Sequence, residues 1–510
     1  MDNNECISFK ENDFTTSDDR VLTFPVGSQD KTLPLMLTEE EKNKKVYQGM
    51  MIFDENAPAG TEDGGPYFKM KMSIGEHFRC GKLPIFFDYN NGTRVVNMSP
   101  DKEYYCRLTE IDTNTVLGVD LLKADGGATE TLKKWYMPTR IEIFEKETWE
   151  TYCSTATAGE SDKNGKLRVD PIFRHNFDMT GKKVIVQSHV PTLGDTFAWF
   201  SHMVTFRKEH PEIGEFAVLL MDRHRKIFEK QYDEKFIKFV SMDDIAEYSE
   251  DAYATFYLSL FDEDTCNHQP VDHRFAGIHE TAGWILGNYD LEYHKPLLDL
   301  SGNSGIEEPY VCIAVQSTSL AKLWHHSTGW YDVVRFLKKL GYRVLCVDKQ
   351  PIYGMDIFWN KIPYGAEDFT GPKSLQERID LIKDCDFYIG LSSGLAWLAD
   401  ACNVPVVMIS GFTHPRNEFY TPYRVWNASA LCNSCWNDMR VKFDPNDFMW
   451  CPHHSNDKLR YCCSKVISPT QVIHKIMTIP ACKKMIEKWH NEHPGEILWD
   501  EDRVNDFDHT

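Results

Sequence analysis

The sequence predicts an α/β protein in which two Rossmann-like halves face each other across a cleft, preceded by a small antiparallel β-barrel. Short strand patterns separated by turn residues fill the region 66–148. Strand and helix patterns then alternate through 178–290, and the alternation restarts after a polar linker and continues through 308–480. Alternation of this kind is typical of parallel sheets with crossover helices.

The N-terminal region carries the turn signals of antiparallel hairpins. An Asn-Asn-Gly sequence at 90–92 lies between PIFFDY and TRVVNM, and Asp-Thr-Asn at 112–114 separates YYCRLTEI from VLGVDLL. Asn and Gly accept the positive φ that tight turns need. We therefore predict a barrel-like domain at 66–148 and leave residues 1–65 as an unassigned extension.

The two later regions have the order of strands and helices expected of nucleotide-binding halves. The first opens with KVIVQSH and the helical run TFAWFSHMVTFRKEHP, and the second opens with YVCIAVQ and GWYDVVRFLKKLGY. Ser374 and Glu377 are spaced as a capping box before a later helix. Residues 481–510 are treated as a tail. Open α/β sheets bind ligands at the carboxyl ends of their strands, so the cleft between the halves is the predicted site.

Composition limits the classes of function. The 510 residues carry a net charge of -21, with 42% hydrophobic and 26% charged residues, as in globular proteins. A chain this acidic is not expected to bind nucleic acid or an anionic membrane. Because no apolar stretch is long enough to span a bilayer and no signal peptide is visible, we expect a cytoplasmic protein.

A short loop after the first strand of the first half contains Gly194 and Asp195, directly before a helix. An aspartate in this position can serve simply as the helix cap. The alternative is a general base on the floor of the cleft, because an acceptor hydroxyl has a very high pKa and must lose its proton as a sugar bond forms. Asp195 is therefore the candidate catalytic residue.

Two strand-to-helix loops of the second half have the composition of an anion site. One contains Thr318, Ser319 and Lys322, whose hydroxyls and ammonium suit a diphosphate. The other, Ser-Ser-Gly at 392–394, presents backbone N–H groups at a helix N-terminus. Each alone could be a solvated loop or a capped turn, but two such loops in one half favour anion binding. The absence of a GxGxxG or GxxxxGK[ST] motif disfavours dinucleotide and P-loop sites.

Five of the 15 cysteines cluster between 432 and 463. Cys432 and Cys435 form a CxxC pair that can hold a tetrahedral ion together with later cysteines. Of the adjacent Cys462 and Cys463, one is expected to be spare, and His453 and His454 are competing ligands. Four thiolates leave no open coordination position, so the ion would be structural. The spacing does not distinguish zinc from iron.

With these residues in hand, the chain from about 84 to 469 resembles the bacterial autotransporter heptosyltransferases. These are protein O-heptosyltransferases related to the lipopolysaccharide heptosyltransferases. The resemblance rests on FDYNNGTRVV and YYCRLTEIDTNTVL, the Gly194-Asp195 loop, Lys322-Leu323-Trp324, Asp368-Phe369-Thr370-Gly371, Ser392-Ser393-Gly394 and Cys432-x2-Cys435-Trp436. The cysteine cluster together with the N-terminal β region is its specific part.

The resemblance implies a GT-B glycosyltransferase with an ADP-heptose donor and transfer to Ser or Thr hydroxyls of an autotransporter passenger. It also implies one structural iron ion per chain, with zinc as the alternative, and a homo-oligomer commonly of twelve subunits. By match of motif, Asp195 would be the base and Lys322 would bind the diphosphate. The other donor-binding residues would be Thr318, Ser319, Thr370, Gly371, Ser392, Ser393 and Gly394. The metal ligands would be Cys432, Cys435, Cys451 and Cys463, with Cys463 favoured over Cys462 by its position before the following helix.

We expect an inverting single displacement, because the sequence shows no second carboxylate that must act with Asp195 as a nucleophile. Two other interpretations stay open. One is a GT-B enzyme that uses another nucleotide sugar or a lipopolysaccharide acceptor, against which the acidic charge and the N-terminal β region argue. The other is a non-catalytic, metal-stabilised binding module, against which Asp195 in the expected loop argues.

Overall fold

The structure is a computed structural model, and most of its described residues belong to the two α/β halves. It describes residues 47–53, 68–73, 78–79, 83–90, 92–110, 114–130, 139–146, 151–154, 178–188, 192–249, 251–258, 277–355, 358–427, 432–441, 444 and 447–500. Most of the predicted N-terminal extension, 1–65, lies outside these ranges, as does the end of the tail.

The N-terminal region consists of short strands. They are β1 Tyr47–Phe53, β2 Phe68–Ser73, β3 Phe78–Arg79, β4 Ile85–Asn90, β5 Arg94–Asn97, β6 Tyr104–Glu110, β7 Thr115–Leu122, β8 Gly127–Glu130, β9 Thr139–Glu145 and β10 Thr151–Ser154. Both predicted hairpins are confirmed, because β4 pairs antiparallel with β5 and β6 pairs antiparallel with β7. Gly92 and Asn114 in their turns have φ of 99° and 53°.

A closed N-terminal barrel is not confirmed. The described strands β10, β9, β6 and β7 form one antiparallel sheet in that order, whereas β4, β5 and β8 extend the sheet of the first α/β half. The junction is a parallel pairing of Tyr89 and Asn90 with Ala254 and Thr255. The first half therefore has a mixed sheet, since its open edge is covered by the β4–β5 hairpin.

The predicted strand and helix alternation of the first half is confirmed. Its parallel strands lie in the order β13, β12, β11, β14. The elements are β11 Lys183–Ser188, α1 Leu193–Glu209, β12 Glu215–Leu220, α2 Asp222–Phe228, β13 Lys238–Val240, α3 Ile245–Tyr248, β14 Ala254–Tyr257 and α4 Ile278–Leu286. Helix α1 is buried on almost every face from its second turn to Phe206, because it packs between the sheet and α4.

The second half repeats this arrangement with a five-stranded parallel sheet in the order β19, β16, β15, β20, β21. Its elements are β15 Tyr310–Ile313, α5 Gly329–Lys339, β16 Arg343–Cys346, β17 Ile352–Met355, β18 Phe358–Lys361, β19 Glu367–Asp368, α6 Leu375–Lys383, β20 Tyr388–Leu391, α7 Gly394–Ala401, β21 Val406–Ile409, α8 Cys462–Lys465, α9 Pro469–Met477 and α10 Pro480–Glu492. The capping box of Ser374 and Glu377 is present.

The tail is not a separate segment in its described part. Helix α10 continues from α9, and Trp499 packs edge-on against Phe336 of α5 with ring centroids 6.0 Å apart. The described part of the chain contains no helix whose length and hydropathy would allow it to cross a membrane.

The two halves touch where α1 and α7 begin. A Cβ atom at Gly394 would lie 2.7 Å from the Cβ of Leu193 and 2.9 Å from the backbone nitrogen of Gly194. A Cβ atom at Gly194 would lie 3.2 Å from the Trp397 ring. The N-terminus of a helix from each half therefore meets the other at backbone distance, with no room for a side chain at Gly394.

Gly394→Ala is expected to lower the melting temperature, because the added methyl group must push α1 and α7 apart. Overpacking of this kind typically costs about 1–3 kcal/mol. Gly118→Ala is the control, since its Cβ would make one ordinary contact at 3.4 Å, with Asp120. Thermal unfolding followed by circular dichroism checks the prediction, and equal melting temperatures for the two variants would contradict the close approach.

Candidate functional site

Asp195 lies in the first turn of α1 and does not cap that helix. The N-cap residue is Thr192, whose side chain makes no capping hydrogen bond. Instead, the Thr192 hydroxyl donates a hydrogen bond to the Asp195 carboxylate. The N-cap position weighed for Asp195 from the sequence is therefore occupied by Thr192, and Asp195 lies three residues further on, in the first turn.

The pKa of Asp195 is affected by groups from both halves. Burial raises the pKa of its carboxyl group, while the Thr192 hydrogen bond and the positive charge of Lys322 lower it. Lys322 ends a 3-10 turn, Leu320–Lys322, in the loop after β15 of the second half. The positive charge of Lys322 in one half therefore acts on the candidate base of the other half.

The remaining predicted donor residues lie in loops at the carboxyl ends of β15 and β19. Thr318 is exposed, whereas Ser319 is buried and its hydroxyl has no hydrogen-bond partner among the described residues. The Thr370 hydroxyl donates to Asp368 at 2.7 Å. Gly371 has a φ of 102°, with open space beside its Cα. This edge of the sheet therefore offers the hydroxyl groups of Thr318 and Ser319 and open space beside Gly371.

The loop at 392–394 contributes mainly its backbone. Ser393 is the N-cap of α7 but makes no side-chain capping bond, so the first N–H groups of the helix are not occupied by it. The Ser392 side chain is buried and donates its hydroxyl proton to Glu418. Ser392 thus anchors the loop from within, and the anion-binding groups it helps to present are backbone N–H groups.

A buried ion pair beneath this loop has no counterpart in the sequence analysis. Arg424 contacts Glu418 at 2.7 Å, and its other nitrogen donates to the Ser410 hydroxyl at 3.0 Å. Burial alone would raise the pKa of Glu418, but the Arg424 charge and the Ser392 hydrogen bond bring that pKa below its usual range. Because the pair lies in an irregular loop after β21, no periodicity or motif spacing marks it.

Two ion pairs of the described residues connect the second half to α4 and to the linker. Arg416 of the second half contacts Glu280 of α4 at 2.9 Å, and Lys295 of the linker contacts Asp400 of α7 at 3.0 Å. Gly277, with a φ of 88°, lets α4 begin directly against the backbone of Arg416, 2.5 Å from the position of a Cβ. These contacts join the second half to α4 and to the linker.

The cysteine cluster forms a second candidate site, away from Asp195 in sequence and built around Cys432. The sulfur atoms of Cys432 and Cys435 are 3.9 Å apart. His453 shares a potential metal-binding group with these two, and His454 and Cys462 share another with Cys432, each with ligand atoms within 4.8 Å of one another. The described residues thus bring together soft sulfur donors with two nearby imidazoles, a set suited to iron or zinc.

Three later cysteines are candidates to complete a metal site with the CxxC pair. Cys451, Cys462 and Cys463 are all buried beside the CxxC pair. Cys462 is the one whose sulfur falls in a compact group with Cys432. Cys463 is the residue favoured by position in the sequence. It is the second residue of the short helix α8, which begins at Cys462.

One half supplies a carboxylate, and the other supplies a lysine and a helix N-terminus. This set of groups is suited to the transfer of a group from a phosphorylated donor. The model of glycosyltransferase family 9 (heptosyltransferase) matches residues 286–444, which contain Lys322 and the 392–394 loop.

Relatives with assigned names extend the match to most of the chain. The autotransporter heptosyltransferase Aah of Escherichia coli is 40% identical over 400 residues, which are 77% of this chain and 93% of Aah. The crystal structure of TibC, a dodecameric iron-containing heptosyltransferase of enterotoxigenic E. coli in complex with ADP-D-beta-D-heptose, is 36% identical, with a TM-score of 0.64 over 81% of this chain and 98% of TibC. BimC of Burkholderia thailandensis, an inactive autotransporter heptosyltransferase, is 33% identical over 78% of this chain and 87% of BimC.

These matches place the chain among the autotransporter heptosyltransferases, and it is a glycosyltransferase.

Proposed function

We propose that this GT-B enzyme transfers heptose from ADP-heptose to Ser or Thr hydroxyls of a bacterial autotransporter passenger. The observation that carries the proposal is the approach of α1 and α7 at Gly194 and Gly394, which brings Asp195 of one half beside the 392–394 loop of the other, while the positive charge of Lys322 lowers the pKa of Asp195. TibC, which shares the fold over most of this chain, is described with ADP-D-beta-D-heptose bound. The bacterial cytoplasm is the compartment we propose for the reaction.

The second half would hold the donor. Lys322 supplies a positive charge, and the N-terminus of α7 supplies N–H groups and the positive end of a helix dipole. Thr318 and Ser319 on one side, and Thr370 and Gly371 on the other, would line the nucleotide. The free Ser319 hydroxyl suits this role, because a buried hydroxyl without a partner is costly unless a ligand satisfies it.

Asp195 would act as the general base in a single displacement. The acceptor oxygen attacks the anomeric carbon while its proton passes to the carboxylate, and the bond from that carbon to the diphosphate oxygen breaks. ADP leaves with its new charge stabilised by Lys322 and the α7 N–H groups. One displacement from the opposite face inverts the anomeric configuration. Thr192 and Lys322 keep the partly desolvated base ionised and oriented.

The cysteine cluster would hold one structural iron ion per chain. TibC is described as iron-containing, and the soft sulfur donors of the described residues fit iron or, as the alternative, zinc. Cys432, Cys435, Cys451 and Cys463 are the proposed ligands, with Cys462 as the direct competitor of Cys463. Four thiolates would close the coordination sphere, so the ion would stabilise the irregular segment 432–465.

We also propose a homo-oligomer of twelve subunits, by similarity to dodecameric TibC. The second candidate function is a non-catalytic, metal-stabilised binding module, because the related protein BimC is named as inactive. Turnover of ADP-heptose by this protein decides between an active enzyme and such a module.

Asp195→Asn is expected to reduce turnover by about 10²–10⁴-fold, because it removes the proton acceptor while keeping the side-chain volume. The expected melting temperature is close to that of the original protein, since Thr192 and not Asp195 is the N-cap. In the original enzyme, turnover should fall as the pH is lowered through the raised pKa of Asp195, above the usual value of about 3.9. Near-normal turnover of the Asn variant, or retention of configuration in the product, would contradict this mechanism.

Lys322→Ala is expected to weaken ADP binding by about tenfold to a hundredfold, because it removes a charge-assisted contact worth roughly 1.5–3 kcal/mol. Lys484→Ala is the matched control, since Lys484 is an exposed cation on α10. Isothermal titration calorimetry with ADP measures both. Equal affinities for the two variants would place the diphosphate elsewhere.

Cys435→Ser is expected to lose the bound metal and to melt at a lower temperature, because a closed metal site contributes directly to folding. The pair Cys462→Ser and Cys463→Ser identifies the fourth ligand, and the prediction is loss of metal in Cys463→Ser alone. Metal analysis by mass spectrometry and the visible absorbance of the purified proteins give the answer. Loss in Cys462→Ser alone would assign that residue instead, and a metal-free original protein would refute the site.

A further inference from the structure

Asp348, directly after β16, is a buried carboxylate aimed at the neighbouring strand rather than at the cleft. Its side chain is 2% exposed. It accepts hydrogen bonds from the backbone N–H groups of Val315 at 2.7 Å and Gln316 at 3.2 Å. These two residues begin the loop that leads from β15 to Lys322. One carboxylate just beyond β16 therefore fixes the direction in which that loop leaves the sheet.

Arg378 of α6 extends this arrangement to the loop after β19. Its guanidinium, 5% exposed, donates to the backbone oxygens of Asp348 at 3.0 Å, Gly371 at 3.1 Å and Lys373 at 3.4 Å. The Gly371 N–H in turn donates to the Lys349 carbonyl at 3.1 Å. The turn that contains Gly371 is thus connected to the segment 348–349 twice, directly through its N–H group and indirectly through Arg378.

The β17–β18 hairpin and the segment just before it add two hydrogen bonds to the loop that follows β15. The Asn360 side chain donates to the Val315 carbonyl, and the Gln316 side chain donates to the Gln350 carbonyl at 2.7 Å. Both backbone polar groups of Val315 are therefore held by side chains.

We propose that Asp348 and Arg378 are positioning residues for the nucleotide-sugar donor, an assignment that rests on the proposed function. They fix the loops of Lys322 and Gly371 at one spacing without touching the donor. A site whose loops are already ordered loses less conformational freedom on binding, so affinity is gained before any contact is made. Burial raises the pKa of Asp348 to about 6, while the two backbone N–H groups and the charge of Arg378 act in the opposite direction.

The test compares ADP binding in four proteins by isothermal titration calorimetry: the original chain, Asp348→Asn, Arg378→Lys and Asp88→Asn. The Asn side chain presents an NH₂ group to one of the two backbone donors, and a lysine cannot span three carbonyl oxygens. Both changes are expected to weaken ADP binding about tenfold. The Michaelis constant for ADP-heptose should rise in the same ratio, with a smaller change in kcat.

Asp88→Asn is the matched control, because Asp88 is also a buried carboxylate, paired with Arg94 in the β4–β5 hairpin of the other half. It should lower the melting temperature and leave the ADP affinity of the folded protein unchanged. Unchanged ADP affinity in Asp348→Asn, or an equal loss in Asp88→Asn, would overturn the proposal. If Asp348→Asn does not fold, Arg378→Lys decides alone. An original protein that binds no ADP would overturn the proposed function, and this assignment with it.

Discussion

The site depends on one contact, the approach of the first turns of α1 and α7 at backbone distance. Gly394 permits it, because any side chain there would collide with Leu193. The contact brings two helix N-termini to one place, and their unpaired N–H groups and dipoles favour negative charge there. The proposed carboxylate base and the proposed donor diphosphate would both benefit from this field. The same contact brings α7 against the first turn of α1, where burial raises the pKa of the Asp195 carboxyl group.

The rest of the second half is organised to hold its loops still around that contact. Asp348 and Arg378 fix the loops at one edge of the sheet, and Glu418 and Arg424 fix the 392–394 loop at the other. Each set uses buried charges that are paired or satisfied by backbone groups. A buried pair of this kind adds little net stability, but removing one partner leaves an uncompensated charge. Its value here lies in defining a single loop geometry.

Patterns among neighbouring residues were enough to predict most helices and strands and the loops in which the candidate site residues lie. The alternation of strands and helices, the hairpin at 90–92 and the capping box at Ser374 are set by nearby residues, so they could be predicted. The pairing of Tyr89 with Ala254 joins residues far apart in the chain, which is why the barrel prediction missed the extended sheet. Glu418 and Asp348 likewise act through partners that no spacing rule connects. Whether Ser392 faces a ligand or Glu418 depends on packing, which the sequence does not reveal.

The central claim is that the donor diphosphate lies between Lys322 and the start of α7, opposite Asp195. A crystal or cryo-EM structure of the protein with ADP bound tests it most directly. The account predicts phosphate oxygens within about 3 Å of the Lys322 ammonium and of the Gly394 and Leu395 N–H groups, the usual hydrogen-bond distance. A diphosphate bound against the first half, or one that leaves Lys322 without contact, would contradict it.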